Sequence, residues 1–126
     1  MRIGGSTIRI FLRKSRPVLL NAAQRAVVER AIRETCAHRK WWLYACNVRT
    51  NHVHSVVSIG AKKPELALNA FKANATRQMR EDGHWEAEHS PWVDRGSKRY
   101  LWNERSLAMA IDYVLNGQGD DLPDFD

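Results

Sequence analysis

The stretch Arg49–Ile59, RTNHVHSVVSI, decides how this chain folds. It is short and rich in β-branched residues, with Thr50 and Asn51 as turn formers near its start and Gly60 after it. This pattern is typical of a β-strand. The aromatic run before it, KWWLYACNV at Lys40–Val48, also favours a strand. Because so few residues separate the two runs, the sequence predicts a β-hairpin.

The two histidines of this stretch are expected on one face of its strand. Alternate side chains leave a strand on opposite sides, so His52 and His54 point one way while Val53, Val57 and Ile59 point the other. Two imidazoles side by side suit a divalent metal ion that takes at least one further ligand. The alternative interpretation is that a half-exposed strand simply tolerates histidine, since two ligands alone do not make a site.

The periodicity of the remaining chain predicts two further strands and three helices. TIRIFL is the first strand and KRYLW the last, and each long helix has an apolar stripe. The predicted segments are a strand at 7–12; a helix at 20–39 with Asn21 as its cap and a stripe of Leu20, Ala23, Val27, Ala31 and Thr35; a helix at 65–81 with a stripe of Leu68, Phe71, Ala75 and Met79; an irregular connection at 82–96; a strand at 98–102; and a helix at 104–116 capped by Asn103.

This order of elements, β-α-β-β-α-β with an added helix, predicts an α+β fold. We expect a ferredoxin-like split β-α-β sandwich, with helices on one face of an antiparallel sheet and a C-terminal helix that bears Tyr113. The 126 residues are expected to form a single domain, 1–126, with 120–126 as a frayed tail.

Composition narrows the class of partner. The net charge of +6 favours an anionic partner, with nucleic acid as the first candidate and a membrane surface as the second. Cys36 and Cys46 lack CxxC spacing, which favours a reduced intracellular protein. No apolar run reaches the ~20 residues of a membrane span, and the N-terminus lacks a signal-peptide pattern. We therefore expect a soluble, cytoplasmic protein.

Tyr113 lies on the last predicted helix, away from the flank that we expect to be buried. Its two interpretations are an amphipathic side chain lying over the surface and a functional group. The expected buried flank consists of Leu107, Ile111, Val114 and Leu115, whereas the neighbours of the tyrosine are Ser106, Met109 and Ala110.

Two motifs in combination resemble a known family. They are NHVH at 51–54 and YVLNGQG at 113–119, with RYL at 99–101 leading into the capped helix between them. In this order and spacing the chain resembles the single-tyrosine transposases of the HUH endonuclease superfamily, which include insertion-sequence and REP-associated tyrosine transposases. The resemblance extends from the first strand to Gly119.

The resemblance implies a metal-dependent transferase of single-stranded DNA. By this resemblance His52 and His54 hold Mg²⁺ or Mn²⁺, which polarises the scissile phosphate. Tyr113 attacks the phosphorus, and the products are a 5′-phosphotyrosine link and a free 3′-hydroxyl. The resemblance also implies recognition of a DNA hairpin and assembly as a homodimer, and it leaves open whether Tyr113 acts in its own copy of the chain or completes the site of the partner.

The chain departs from the family pattern at the third metal ligand. The family usually supplies glutamine or asparagine one turn after the nucleophile, where this chain has Gly117. Gln118 is the favoured substitute, because a glycine that unwinds the turn would swing it back toward the tyrosine. Asn116 is the alternative, because it stays nearer the tyrosine's face of a continuous helix.

Other residues have both a functional and a structural interpretation. His84 and His89 flank two glutamates without zinc-like spacing, so a surface loop is the favoured interpretation. Trp41 and Trp42 are consecutive, so at most one is expected in the core, and the other would be available to stack on an unpaired base. A DNA groove, or else a solvated face, is predicted for the basic residues Lys62, Lys63, Lys72, Arg77, Arg95, Lys98 and Arg99.

Two rival functions remain open on the sequence. One is a domesticated hairpin-binding module that has lost cleavage, which Gly117 makes credible. The other is a replication initiator of the same superfamily, against which the short chain without an appended helicase counts.

Overall fold

The computed structural model of the chain contains a four-stranded antiparallel sheet with the strand order β2-β3-β1-β4. It describes residues 5–12, 19–101 and 103–117, and within β1 and β4 only the side chains of Ser6, Trp92, Val93 and Leu101. The elements are β1 (Gly5–Leu12), α1 (Ala22–Arg39), β2 (Trp42–Val48), β3 (His52–Ser58), α2 (Pro64–Glu81), β4 (Trp92–Leu101) and α3 (Glu104–Asn116). This is the predicted ferredoxin-like order, in which β1 and β3 are the inner strands. The predicted tail at 120–126 lies outside the described residues.

Helix α1 begins with the predicted cap. The Asn21 side chain accepts a hydrogen bond from the Gln24 backbone N–H at 2.8 Å, and the Gln24 side chain accepts one from the Asn21 N–H at 2.9 Å. This reciprocal pair satisfies two backbone donors at the helix start. The helix ends at Lys40, whose φ of 59° stops propagation.

The buried stripe of α1 is wider than predicted. Val27, Ala31 and Thr35 are buried as expected, and Leu20, just before the helix, is buried too, but Ala23 is exposed. Helix α1 contacts both α2 and the sheet, so side chains on two adjacent faces of the helix are buried. The stripe therefore also includes Val28, Ile32 and Cys36.

Helix α2 has the predicted stripe. Leu68, Phe71, Ala75 and Met79 are all buried. The Phe71 ring meets the Trp41 ring edge-to-face, with ring centroids 6.1 Å apart. Trp41 is thus a core residue while Trp42 is exposed, as the alternation of a strand predicts.

The last strand begins earlier than the predicted Lys98. Strand β4 runs from Trp92 to Leu101, so the irregular connection is confined to 82–91. Gly96 pairs with Ile10 of β1, and the register shifts between Ile10 and Leu12. Pairing with β1 therefore stabilises the strand conformation of this segment, although it contains a glycine and lacks a clear apolar period.

The sheet separates two hydrophobic cores. Val53 and Val57 of β3 belong to the larger core, under α1 and α2. Val56 belongs to a smaller core that packs against α3, together with Ala45 and Leu101. Helix α3 therefore covers the sheet face opposite α1 and α2. No helix in the described part of the chain is long and apolar enough to cross a membrane.

Both cysteines are buried free thiols. Burial raises the pKa of Cys36 to about 12 and that of Cys46 to about 12, because the thiolate loses hydration in the interior. A raised pKa keeps both groups as the unreactive thiol until the pH approaches that value.

We expect neither cysteine of the folded protein to react with a thiolate-selective disulfide reagent at pH 8 within minutes, as measured by absorbance of the released thiol. The same protein in concentrated guanidinium chloride should react at both cysteines at once. Rapid reaction of the folded protein would contradict the burial of these side chains.

Candidate metal and tyrosine site

Strand β3 places both histidines on the face predicted from its alternation. His52 and His54 lie on the side of Val56, opposite Val53 and Val57. Both are buried, with exposed fractions of 8% and 4%. His54 is held in register by Asn47 of β2 on one side and by the backbone of Arg9 in β1 on the other.

A neighbouring amide orients the first histidine. The Nδ1 atom of His52 lies 2.8 Å from the Oδ1 atom of Asn51. When Nδ1 carries the proton and donates it to this oxygen, the lone pair of the ring is on Nε2. Histidines that bind metals are commonly held this way, by a hydrogen bond from their other ring nitrogen.

Helix α3 turns a different flank to the sheet than the helical wheel predicted. Its N-cap, Asn103, accepts a hydrogen bond from the Ser106 backbone N–H at 2.8 Å, as expected. Ser106 and Ala110 are buried, whereas Leu115 is 55% exposed. Leu107 and Val114 are buried as predicted, and Ile111 is only half-buried. The small side chains of Ser106 and Ala110 let this flank of α3 approach the sheet closely, which turns Leu115 toward solvent. The prediction that Leu115 is buried was therefore wrong.

Because α3 presents this flank to the sheet, Tyr113 lies against the histidine pair. Tyr113 is half-buried beside the smaller core, and its ring meets the His54 ring edge-on, with centroids 5.7 Å apart and an interplanar angle of 69°. The Nδ2 group of Asn47 donates to the carbonyl oxygen of Val114 at 2.9 Å. Because Asn47 is also paired with His54, it ties the end of α3 to the histidine strand.

Sequence reasoning missed Asn47 as part of the site. Its signal was present, because asparagine is depleted inside strands and this one lies near the end of a predicted β-hairpin. Its contact with Val114 depends on tertiary packing, which no local pattern contains.

Gly117 provides space for the Tyr113 ring. The Gly117 N–H donates to the Tyr113 carbonyl at 2.7 Å and closes the helix. A β-carbon added at Gly117 would lie 2.5 Å from the Tyr113 carbonyl oxygen, 2.6 Å from Cδ2 and 2.9 Å from Cε2 of the Tyr113 ring. Any larger residue would therefore meet both the backbone of the last helical turn and the ring that packs over the glycine.

The third ligand predicted by resemblance has no support among the described residues. Gln118 lies outside them. Asn116 is exposed, and its Nδ2 group donates to Asp112 at 2.9 Å. Within 5–12, 19–101 and 103–117, no group of three His, Cys, Asp or Glu residues could hold a metal ion. Of the predicted ligands His52, His54 and Gln118, the structure thus describes the two histidines.

The predicted basic groove is divided between different parts of the fold. Lys62 and Lys63 are exposed in the connection from β3 to α2. On α2, Lys72 donates to the Val93 carbonyl at 2.6 Å and Arg77 pairs with Glu81 at 3.0 Å. These two residues of α2 lie across the sheet from the histidines. For Arg95, Lys98 and Arg99 only the backbone, in β4, is described.

The second candidate metal site is absent from the described residues, since neither His84 nor His89 belongs to a metal-binding group there. The His89 ring instead packs against Trp85, with centroids 5.5 Å apart, and the Trp85 indole N–H donates to the His89 carbonyl at 2.9 Å. This segment is therefore a structural loop, as favoured from the sequence.

Comparisons with known proteins agree with this architecture. The family described as "Transposase IS200 like" matches residues 7–114. The structure of a REP-associated tyrosine transposase bound to a REP hairpin aligns with a TM-score of 0.68 at 18% identity, covering 88% of this chain and 64% of that one. The chain thus spans less than two thirds of that relative.

A crystal structure of a putative transposase from Deinococcus radiodurans aligns with a TM-score of 0.65 at 16% identity, covering 93% of both chains. Among curated proteins no match was found. Both structural similarities are below 25% identity and show the fold, whereas the family match covers most of the sequence. The chain belongs to the IS200-like transposase family.

Proposed function

We propose that this protein cleaves and rejoins single-stranded DNA, with Tyr113 as the nucleophile and His52 and His54 as ligands of a divalent metal ion. The observation that carries this proposal is the contact between the Tyr113 and His54 rings, 5.7 Å apart. Two motifs far apart in sequence meet there on one face of the sheet.

The reaction is a displacement at phosphorus. The Tyr113 hydroxyl oxygen forms a bond to the phosphorus, and the bond from phosphorus to the 3′-oxygen of the preceding nucleotide breaks. The phenol proton leaves, and the departing 3′-oxygen takes up a proton to become a hydroxyl. Because a phosphotyrosine ester retains the energy of the original ester, the 3′-hydroxyl of a DNA end can reverse the step and rejoin the strand.

The histidine pair fits a divalent cation by its chemistry. Two imidazoles on one strand face, one of them oriented by Asn51, form a compact donor set. A bound ion would neutralise charge on the non-bridging phosphate oxygens. Since imidazole is softer than the oxygen ligands that Mg²⁺ prefers, Mn²⁺ should bind more tightly than Mg²⁺.

The substrate in this proposal is single-stranded DNA next to a hairpin. Support comes from the net charge of +6 and from the relative whose structure contains a REP hairpin. Exposed Lys62 and Lys63 would contribute phosphate contacts, which make affinity fall with added salt. A homodimer is part of the proposal.

One observation favours a second candidate function, a binding module without cleavage. Gly117 occupies the position where the family usually supplies a third ligand, and glycine has no side chain to offer. The module would bind hairpins without forming a covalent adduct and without any response to a chelator.

Tyr113→Phe should abolish covalent capture of single-stranded hairpin DNA in the presence of Mn²⁺, a loss of at least about a thousandfold, because only the attacking oxygen is removed. Capture is measured as adduct stable to denaturant on a gel. Tyr44→Phe is the matched control, since it removes a phenol oxygen beside the same small core, keeps the aromatic ring and leaves Tyr113 unchanged. If Tyr113→Phe retains capture, or if wild-type protein shows none across a hairpin library, cleavage through Tyr113 is excluded.

His54→Ala should weaken Mn²⁺ binding at least about tenfold, because one of two imidazole ligands is lost. Binding is measured by the electron paramagnetic resonance signal of free Mn²⁺, which needs no catalysis. His38→Ala serves as control, because His38 is exposed in the last turn of α1. Equal affinity of the His54→Ala variant and the wild type would refute the metal assignment.

Gly117→Ala should reduce covalent capture by about 10- to 100-fold while DNA affinity stays unchanged, since the added β-carbon would clash with both the carbonyl oxygen and the ring of Tyr113 and disturb the position of the tyrosine. Leu115→Ala, an exposed change on the same helix, should have little effect. Full capture by the Gly117→Ala variant would show that the position of the ring over the glycine does not matter.

A further inference from the structure

The edge strand β2 carries an aromatic pair that the site does not use. Trp42 is 59% exposed, and its ring meets that of Tyr44 edge-on, with centroids 6.4 Å apart and an interplanar angle of 65°. We propose that Trp42, supported by Tyr44, is a stacking platform for an unpaired base of the DNA strand that enters the site. This inference rests on the proposed function for its substrate and adds a binding contact to it.

The platform lies on the same sheet face as the histidine pair. Trp42 is paired with Ser58 of β3, and cross-strand partners share a face. Ser58 lies four residues after His54, and since side chains alternate, both point toward the face that α3 covers in part. A register shift between Leu43 and Ala45 lets Tyr44 also pack toward this face, against the smaller core.

The spacing suits a short stretch of DNA. Four residues of a strand span about 13 Å at ~3.3 Å per residue. A DNA strand stacked as in a duplex advances ~3.4 Å per nucleotide, so the platform is within about four nucleotides of a phosphate held at His54. One continuous single strand can therefore contact both places.

Positive charge at this end of the sheet favours a polyanion as the occupant. Lys40 lies just before β2, and Lys62 and Lys63 follow β3, and all three are exposed. Because Trp42 and Ser58 are paired, these lysines lie at the same end of the sheet as the platform. Cations that contact phosphates, next to a ring that stacks on a base, form the usual arrangement for single-stranded nucleic acid.

We expect the base in question to be unpaired. Inside a duplex the faces of each base are covered by its neighbours, whereas the bases of a single strand are free to leave the stack and lie on an aromatic side chain. Side chains of a strand project roughly perpendicular to the sheet, so Trp42 is presented on a sheet face and not along the hydrogen-bonding edge of β2.

The first test is equilibrium binding of a fluorescein-labelled oligothymidine, measured by anisotropy in the Tyr113→Phe background to prevent cleavage. Trp42→Ala should weaken binding by about 5- to 100-fold, and Trp42→Tyr should retain most of the affinity because it keeps a ring. Leu66→Ala, a partly exposed apolar change on α2 across the sheet, should bind like the parent. The affinity for a covalently closed circular duplex, which has no terminal base pair, should not depend on Trp42. Unchanged affinity of Trp42→Ala for oligothymidine would overturn the proposal.

The second test maps the contact directly. Oligothymidines carrying 5-iododeoxyuridine at single positions are irradiated with the protein, and the adducts are located by mass spectrometry. Adducts at Trp42 or Tyr44 support the platform, whereas adducts confined to other residues refute it. If Trp42→Ala alters the sedimentation coefficient but not DNA affinity, the pair is a contact between copies and the proposal fails.

These measurements separate the platform from the proposed chemistry. Absence of covalent capture by the wild type, together with binding that depends on Trp42, refutes cleavage and leaves the platform intact. Covalent capture that is retained, together with binding that is indifferent to Trp42, refutes the platform alone.

Discussion

The alternation of side chains along β3 is the constraint on which the rest of the molecule depends. Every residue of this inner strand is buried, with the odd-numbered valines in the larger core and the even-numbered histidines on the opposite face. A slip of one residue would send both imidazoles into the apolar core and the valines toward the tyrosine. Pairing with β1 and β2 on both sides prevents that slip, so the register that stabilises the fold is also the register that creates the site.

The position of Tyr113 depends on the small residues of α3 and its C-terminal end. Ser106 and Ala110 are small, so α3 approaches the sheet along the flank that carries Tyr113 and leaves Leu115 in solvent. Gly117 is smaller still, and the tyrosine ring occupies the space beside it. Glycine at position 117 therefore has a structural role, because a β-carbon there would lie within 3 Å of both the carbonyl oxygen and the ring of Tyr113.

Features that depend on local periodicity or capping were predictable from the sequence. The faces of β3, the stripe of α2 and the Asn21 cap follow from periods and donor groups that lie within a few residues of each other. The start of β4 at Trp92 was not predictable, because that segment has no apolar period and is sustained by pairing with β1. The exposure of Leu115 was also missed, since a helical wheel ranks side chains by hydrophobicity whereas close packing on a sheet selects the small ones.

Local patterns reveal the histidine and tyrosine motifs but not the residue that joins them in the fold. Each motif is a local pattern, but Asn47, which joins the strand to α3 through the Val114 carbonyl, acts through a contact between distant parts of the chain. Its side chain satisfies a carbonyl in the last turn of α3, where the helix has no internal donor left. This hydrogen bond, together with the packing of Val114 in the smaller core, holds the end of α3 beside His54.

The helices on the two faces of the sheet bury different amounts of apolar surface. This difference bears on the proposed covalent reaction. Helices α1 and α2 share the larger core with Phe71 and Met79, whereas α3 rests on a smaller one built around Val56 and Ala110. Less buried apolar surface means a lower free energy of local opening for α3 than for the rest of the domain. In the proposed reaction Tyr113 becomes attached to a DNA end and has to accommodate that strand while the histidines stay in place. The arrangement is compatible with both needs, because His52 and His54 lie on a strand that is buried throughout, whereas Tyr113 lies on the helix that packs on the smaller described core.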